Sequence, residues 1–485
     1  MTQGKFRYYV IKYYLYVRGC MKKTIYSFLF IVLAIFFSAC QKSSVYEGSV
    51  EEDRDINLED VNSTSEIIFG ESQKEIPTLV IVMNWDNYSQ TDPLLWYNKI
   101  FNQDENSVNR WYYDSTDANI EFVPISENSG TIDDGVIIVD MGKNHPGGDD
   151  DISFRDTELK NAITSDVVVD NVDFDSLDID GDGALSHTEL QIIFVVSGGE
   201  QSYGDSAAKS IWAHAWAFDS DNAPVVDTVS VMKADANATL GGTYMRFGAT
   251  HGVDTDDEHL AVIGIIAHEL GHSLLNLLDL YDSDGEGSGL GYYDIMSGGS
   301  WASKSEDTYD GQTPVQFSAF SKIDSNLDLN ISEVNSASSE QNITIKCSSN
   351  EIIKLATQED NEYFLLECRD TARVDSDKSF DYMDSNFTDN KLVSFIYHID
   401  TNKTTNDESG SQTQSNHYRV ALVEKDSSDD LTLNENIRVH YNDSYEDGET
   451  IDSNKTKSYD GSSGYEIEIE SSNYTDRTMT FIITQ

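Results

Sequence analysis

Ile76-Pro77-Thr78-Leu79-Val80-Ile81-Val82-Met83 is an unbroken apolar run of strand length. Runs of this kind, without polar alternation, mark strands covered on both faces. Gln191-Ile192-Ile193-Phe194-Val195-Val196 reads the same way, and 120–124 and 135–140 read as shorter strands. Residues 107–113 have helical spacing, and a longer helix is predicted over 256–275. In that helix His259-Leu260-Ala261-Val262-Ile263-Gly264-Ile265-Ile266-Ala267 leads into a short polar group, and Leu274-Leu275 closes it. Beyond about Val334 the pattern changes to short strands at 342–346, 363–367, 392–398, 418–423, 465–469 and 478–483. Ser, Asn, Asp and Gly turns separate them, as in a β-sandwich. The expected class is α+β: a domain over 76–334 with a mixed sheet and one buried helix, then a β-sandwich-like domain over 335–485.

The N-terminal part has a different logic. From Met21 the order is Lys22-Lys23, an apolar stretch over 26–37, and Ser38-Ala39-Cys40. This is the layout of an export signal over 21–39 with Cys40 as a lipidation site, and 1–20 read as an upstream extension. Residues 40–75 form a polar, acidic tether. The first 46 residues carry seven basic and no acidic side chains, so the remainder has 25 Lys and Arg against 86 Asp and Glu. Such a surface repels nucleic acid and suits calcium-bearing surroundings outside the cell. Cys347 and Cys368 each end a strand-like run, and outside the cytoplasm they form a candidate disulfide. A monomer is expected.

The polar group inside the apolar helix is His268-Glu269-Leu270-Gly271-His272. Positions i and i+4 share a helix face, so both imidazoles can reach one zinc ion, with Glu269 beside it as general base. Titratable groups inside a nearly all-apolar helix are costly without a ligand. A catalytic zinc site needs a third protein ligand. Extended HExxH enzymes break the helix with Gly three residues after the second His and place the third ligand three residues later. Leu275 and Leu278 stand there in this chain. Asn276 tolerates the left-handed turn instead, which makes Asp279 the third candidate, with Asp282 and Glu286 as rivals. His214, His251 and His398 read more simply as hydrogen-bonded interior histidines. Tyr281, Tyr292 and Tyr293 are candidates to assist at the substrate carbonyl.

Asp178-Ile179-Asp180-Gly181-Asp182-Gly183-Ala184-Leu185-Ser186-His187-Thr188-Glu189 has the form of a twelve-residue calcium loop. Asp178, Asp180, Asp182 and Glu189 would supply carboxylates and Ala184 a carbonyl, with Gly183 at the sharp turn. A structural calcium is expected there. No GxSxG elbow, phosphate-binding loop or paired CxxC pattern occurs, which excludes serine-hydrolase, nucleotide and zinc-ribbon chemistry.

Several segments together resemble the immune inhibitor A family of secreted bacterial zinc metallopeptidases. They are Leu79-Val80-Ile81-Val82, residues 107–113, Phe194-Val195-Val196-Ser197-Gly198-Gly199, Ile211-Trp212-Ala213-His214 and residues 267–272. Asp279-Leu280-Tyr281-Asp282, Met296-Ser297-Gly298-Gly299-Ser300-Trp301, residues 362–367 and Tyr397-His398-Ile399-Asp400 complete the set. Met296 in its Gly-flanked turn resembles the Met-turn beneath the zinc of metzincin-type peptidases. The chain departs from the family by lacking the Gly after His272 and by one extra residue before Asp279. The resemblance implies a metzincin-like fold, zinc, calcium and hydrolysis of peptide bonds in proteins. The expected function is thus that of an exported, surface-anchored zinc endopeptidase. A catalytically inactive calcium-stabilised adhesin and a zinc hydrolase of a non-peptide amide are the alternatives.

Overall fold

Strand β1 (Lys74–Asn84) is the centre of the first sheet, and its side chains alternate between two apolar layers. Val80 and Val82 enter one layer with Trp96 and Trp111; Leu79, Ile81 and Met83 enter the other with Phe154 and Phe174. This two-sided burial is why the run carries no polar alternation. The computed structural model describes residues 74–485 except 105, 149–150, 220, 235–242, 284–286, 305–306, 336–338, 371–390, 408–416, 426–442 and 462–463. The segment read as an export signal, Cys40 and nearly all of the stretch read as a tether lie outside the described residues.

After β1 come helices α1 (Pro93–Phe101) and α2 (Val108–Ser115), then strands β2 (Ile120–Pro124), β3 (Val136–Asp140) and β4 (Gln191–Glu200). Short strands β5 (Ser210–Ile211) and β6 (His214–Trp216) and the pair β7 (Val225–Val226) and β8 (Val229–Ser230) precede β9 (Tyr244–His251) and β10 (His259–Leu260). The main sheet runs β10-β9-β4-β1-β2, with β3 continuing the β2 edge of β1. β1 to β4 and β9 are parallel, whereas β6 and β10 run antiparallel along β9. Helix α3 (Ile263–Leu275) is buried at every residue, and α4 (Ala319–Asp324) follows it.

The expected start of the long helix at 256 is corrected to Ile263. His259 and Leu260 pair with His251 and Thr250, so this segment is held extended by the edge of β9. The sheet takes these residues because their backbone groups complete an otherwise open edge.

The C-terminal part is all strand: β11 (Asn330–Val334), β12 (Gln341–Lys346), β13 (Glu351–Ala356), β14 (Glu362–Asp370), β15 (Leu392–Asp400), β16 (Val420–Leu422), β17 (Thr450–Ile451), β18 (Glu466–Asn473) and β19 (Thr478–Thr484). They form a five-stranded sheet, β11-β13-β14-β15-β16, and a four-stranded sheet, β12-β19-β18-β17. The two share an apolar layer of Ile353, Phe364, Ile396, Ile467, Met479 and Phe481. Cys347 and Cys368 are disulfide-bonded there, with Cα atoms 4.4 Å apart. The opposite face of the five-stranded sheet places Leu365, Phe395 and Tyr397 in the layer that also contains α3. The chain is therefore mixed α/β, with several sheets and few helices. Among the described residues no helix is long and apolar enough to cross a membrane.

Candidate metal centre

Helix α3 brings His268 and His272 onto one face, and the turn after it brings Asp279 back to them. The helix stops because Asn276 is left-handed, with φ 57° and ψ 30°, a conformation Asn tolerates better than most residues. The N–H groups of Asn276 and Leu277 then donate to the carbonyls of His272 and Gly271, each at 3.1 Å. The Leu277 carbonyl accepts from His272 Nδ1 at 2.6 Å, and the Ile295 carbonyl accepts from His268 Nδ1 at 2.8 Å. A carbonyl only accepts, so each Nδ1 carries the ring proton and each Nε2 keeps its lone pair. The two Nε2 atoms are 3.2 Å apart, and Asp279 Oδ1 is 3.2 Å from both.

This equilateral triangle fits a tetrahedral zinc ion. Ligand bonds of about 2.0 Å require ligand atoms about 3.3 Å apart. Two neutral imidazoles and one carboxylate are a donor set that zinc accepts, and carbonyl partners on the outer nitrogens are usual for such ligands. Burial works to raise the Asp279 carboxyl, but protons on the two Nε2 atoms, when present, outweigh it and hold it well below the ordinary carboxylate range, and a cation shared by the triangle would act in the same direction.

Below the triangle lies the Met296 turn. Asp294, fully buried, accepts from the Met296 N–H at 2.6 Å, the Ser318 N–H at 2.8 Å and the Ser321 hydroxyl at 2.6 Å. The Met296 carbonyl accepts from the Leu280 N–H at 2.7 Å, tying the turn to the loop carrying Asp279. Met296 packs directly against α3 at Gly271, where an added Cβ would lie 2.5 Å from its sulfur. A Cβ between the two histidines would therefore displace the Met296 sulfur from beneath the helix.

Glu269 is buried beside the histidines. Burial pushes its carboxyl up to about 8; His268 and a backbone N–H from Ala215 pull it down, while Asp279 and Glu200 push it further up. Glu200, at the end of β4, escaped the sequence reading, which followed that strand only to Gly199. It is fully buried, accepts from the N–H groups of Ser202, Ala213 and Gly248 at 3.0, 3.0 and 2.8 Å, and is pushed up by burial to about 7. An acid directly after an otherwise apolar strand was the available signal.

The other candidates stand apart from the triangle. Asp282 accepts from the Tyr418 hydroxyl at 3.2 Å, and Glu286 lies outside the described residues. His214 faces the Tyr244 hydroxyl at 3.3 Å, His398 faces Glu362 at 2.6 Å, and His251 stacks on Tyr203. Tyr293 donates to Asp443, which turns it away, whereas the Tyr281 ring lies 6.4 Å from that of His268.

In the acidic loop, Asp178, Asp180 and Asp182 bring one carboxylate oxygen each within 4.8 Å of one another. Asp178 accepts from the N–H groups of Gly181 and Gly183, and Glu189 closes the loop on the N–H groups of Ile179 and Ser186. Ala184 bridges to Ser230, which ties the loop to β8. The Asp180 carboxyl lies above its ordinary value: the Asp182 N–H lowers it, but burial and the charges of Glu189, Asp182 and Asp178 outweigh that bond.

Comparison with known proteins matches residues 96–327 to the family model "Immune inhibitor A peptidase M6, catalytic domain". "Immune inhibitor A" of Bacillus thuringiensis subsp. alesti is 31% identical over 172 residues, covering 34% of this chain and 23% of that protein. "Pre-pro-metalloprotease PrtV" of Vibrio cholerae serotype O1 is 30% identical over 195 residues, covering 37% of this chain and 19% of that protein. The chain spans about a fifth of the length of the curated relatives it matches. The matched segment contains β4, β9, α3, Asp279 and the Met296 turn, and over it the chain is similar to the catalytic domain of the immune inhibitor A family of M6 peptidases.

Proposed function

We propose that this chain is an exported, surface-anchored zinc endopeptidase with a metzincin-like catalytic domain over 76–334 and a β-rich domain over 335–485. The observation that carries this reading is the 3.2 Å triangle of His268, His272 and Asp279, with Glu269 buried next to it. Zinc in that triangle would supply a Lewis acid that polarises the scissile carbonyl and eases deprotonation of water. Burial pushes the Glu269 carboxyl up to about 8, and a divalent cation held by the triangle would favour its ionised form. Glu269 then takes the proton of the attacking water and passes it to the departing amine. The Ala215 N–H donates to that carboxylate, and the Met296 turn holds the loop carrying Asp279 against α3. The family and the printed name of the Vibrio relative support peptide or protein substrates. Hydrolysis of casein or a peptide library by the chain, abolished by a zinc chelator and restored by zinc, is the expected result. Hydrolysis unaffected by metal removal would exclude this reading.

Calcium is proposed for the loop of Asp178, Asp180, Asp182, the Ala184 carbonyl and Glu189. The support is the convergence of three carboxylates on a loop tied to β8. An ion bound only by the native state stabilises it by about 2.7 kcal/mol at a hundred-fold excess over its dissociation constant. Calcium added to zinc-loaded protein should therefore raise the melting temperature, and Asp178→Ala should remove the increase. A melting temperature indifferent to calcium would count against the site.

Anchoring is proposed through lipidation of Cys40 after removal of the preceding residues, which leaves the acidic stretch to 75 as a spacer. Cys40→Ser should release the protein to the medium or leave its precursor unprocessed. Unchanged membrane fractionation with normal processing would rule the anchor out.

A further inference from the structure

The loop that carries Asp279 has no ladder of its own. Residues 276–283 form neither helix nor strand, yet the triangle sets Asp279 Oδ1 at 3.2 Å from both Nε2 atoms. Leu280, the next residue, is held from several sides. Its N–H donates to the Met296 carbonyl at 2.7 Å, and its own carbonyl accepts from the Leu290 N–H at 2.9 Å. The same carbonyl accepts from Asn406 Nδ2 at 3.0 Å, across 126 positions of sequence.

Asn406 is buried, and three hydrogen bonds fix its side-chain amide. Nδ2 donates to the Val420 carbonyl at 3.0 Å, and Oδ1 accepts from the Val420 N–H at 3.0 Å, so the amide pairs with β16 as a strand neighbour would. An amide NH2 has two protons to give, and the second goes to Leu280. Asp407 follows: its Oδ1 accepts from the Ser283 hydroxyl and from the Ser283 N–H, the latter at 3.0 Å. Leu277 and Leu280 lie in one apolar layer with Val420 and Leu422. Asn406, Asp407 and β16 all lie beyond residues 96–327, the segment similar to the peptidase model.

We propose that Asn406 and Asp407 are positioning residues of the metal centre, through which the β-rich part of the chain holds the Asp279 loop in place for the ion. A carboxylate on an unheld loop would have to be ordered whenever the ion bound, and holding the loop beforehand removes that cost from binding. The assignment rests on zinc in the triangle, and it makes residues outside the matched segment part of the site.

Zinc affinity of the full chain, read by competition with a chromophoric chelator, tests the assignment. Asn406→Ala should weaken zinc binding about tenfold, the lower end expected for a lost partner outside the ligand shell. Asp407→Ala, at a half-buried position, should weaken it by more than about twofold and serves as the second variant should the first not fold. In the Asp279→Ala background either substitution should change zinc affinity by less than about twofold, because no carboxylate is left to position. A general loss of stability would weaken zinc binding equally in both backgrounds, and that result overturns the assignment. So does unchanged affinity in the folded variants while Asp279→Ala itself binds zinc weakly. Undiminished zinc binding in Asp279→Ala is a different failure: it overturns Asp279 as a ligand, and the assignment falls with it.

Discussion

Replacing Glu269 by glutamine is expected to leave fold and zinc content unchanged and to reduce peptide hydrolysis at least 10²–10⁴-fold, roughly 3–5 kcal/mol of barrier. The magnitude follows from the place of this carboxylate. It is buried on α3 beside His268, and the ligand triangle is already complete without it. Glutamine has nearly the same shape and can still accept from the Ala215 N–H, so packing of the helix is preserved. It cannot take a proton. The measurement is turnover of a fluorogenic peptide by Glu269→Gln protein after its zinc content has been verified. Near-wild-type turnover would mean that another base acts, and the assignment of this helix to peptide hydrolysis would fail.

The second large effect is expected from the ligands. His268→Ala should lower zinc affinity by more than the roughly 10–100-fold typical of a lost outer-sphere partner, because a ligand itself is gone. Asp279→Ala should do the same, and it is the more discriminating variant. Its carboxylate is the one anionic corner of the triangle, and a cation shared by the triangle would hold it ionised despite burial. Metal analysis after dialysis should find one zinc per wild-type chain and little in either variant, with activity falling in parallel. Full zinc and activity in Asp279→Ala would exclude it as the third ligand. Asp282→Ala, whose carboxylate is already engaged by Tyr418, should keep its zinc.

Local patterns were legible because local physics governs them. His268 and His272 share a face since four residues make about one helical turn. The runs in β1 and β4 read as strands because a sheet covered on both sides needs no polar alternation. The turn at Asn276 could be anticipated from its side chain alone, and it made Asp279 a candidate ahead of its rivals Asp282 and Glu286. Strand β9 was not legible. Arg246 and Gly248 interrupt its apolar run, yet Arg246 is fully buried, paired with Asp151 and set 4.8 Å from the Phe154 ring. Gly248 belongs there because an added Cβ would lie 2.1 Å from the Gly199 carbonyl oxygen.

The spacing of HExxH, the order of carboxylates in the 178–189 loop and the apolar cores of the main strands followed from the sequence by itself. Each depends on residues within a turn or two of one another. Only the tertiary structure brought Asp279, and not Asp282, to the two histidines, set the charge of Glu200 within reach of Glu269, shortened α3 to begin at Ile263 and set the Met296 sulfur against Gly271. Those outcomes rest on contacts that fold the chain back on itself, from a few residues away, as for His259 and His251, to more than a hundred, as for Asp282 and Tyr418. There, burial and hydrogen bonding with distant partners outweigh the preferences of the local chain.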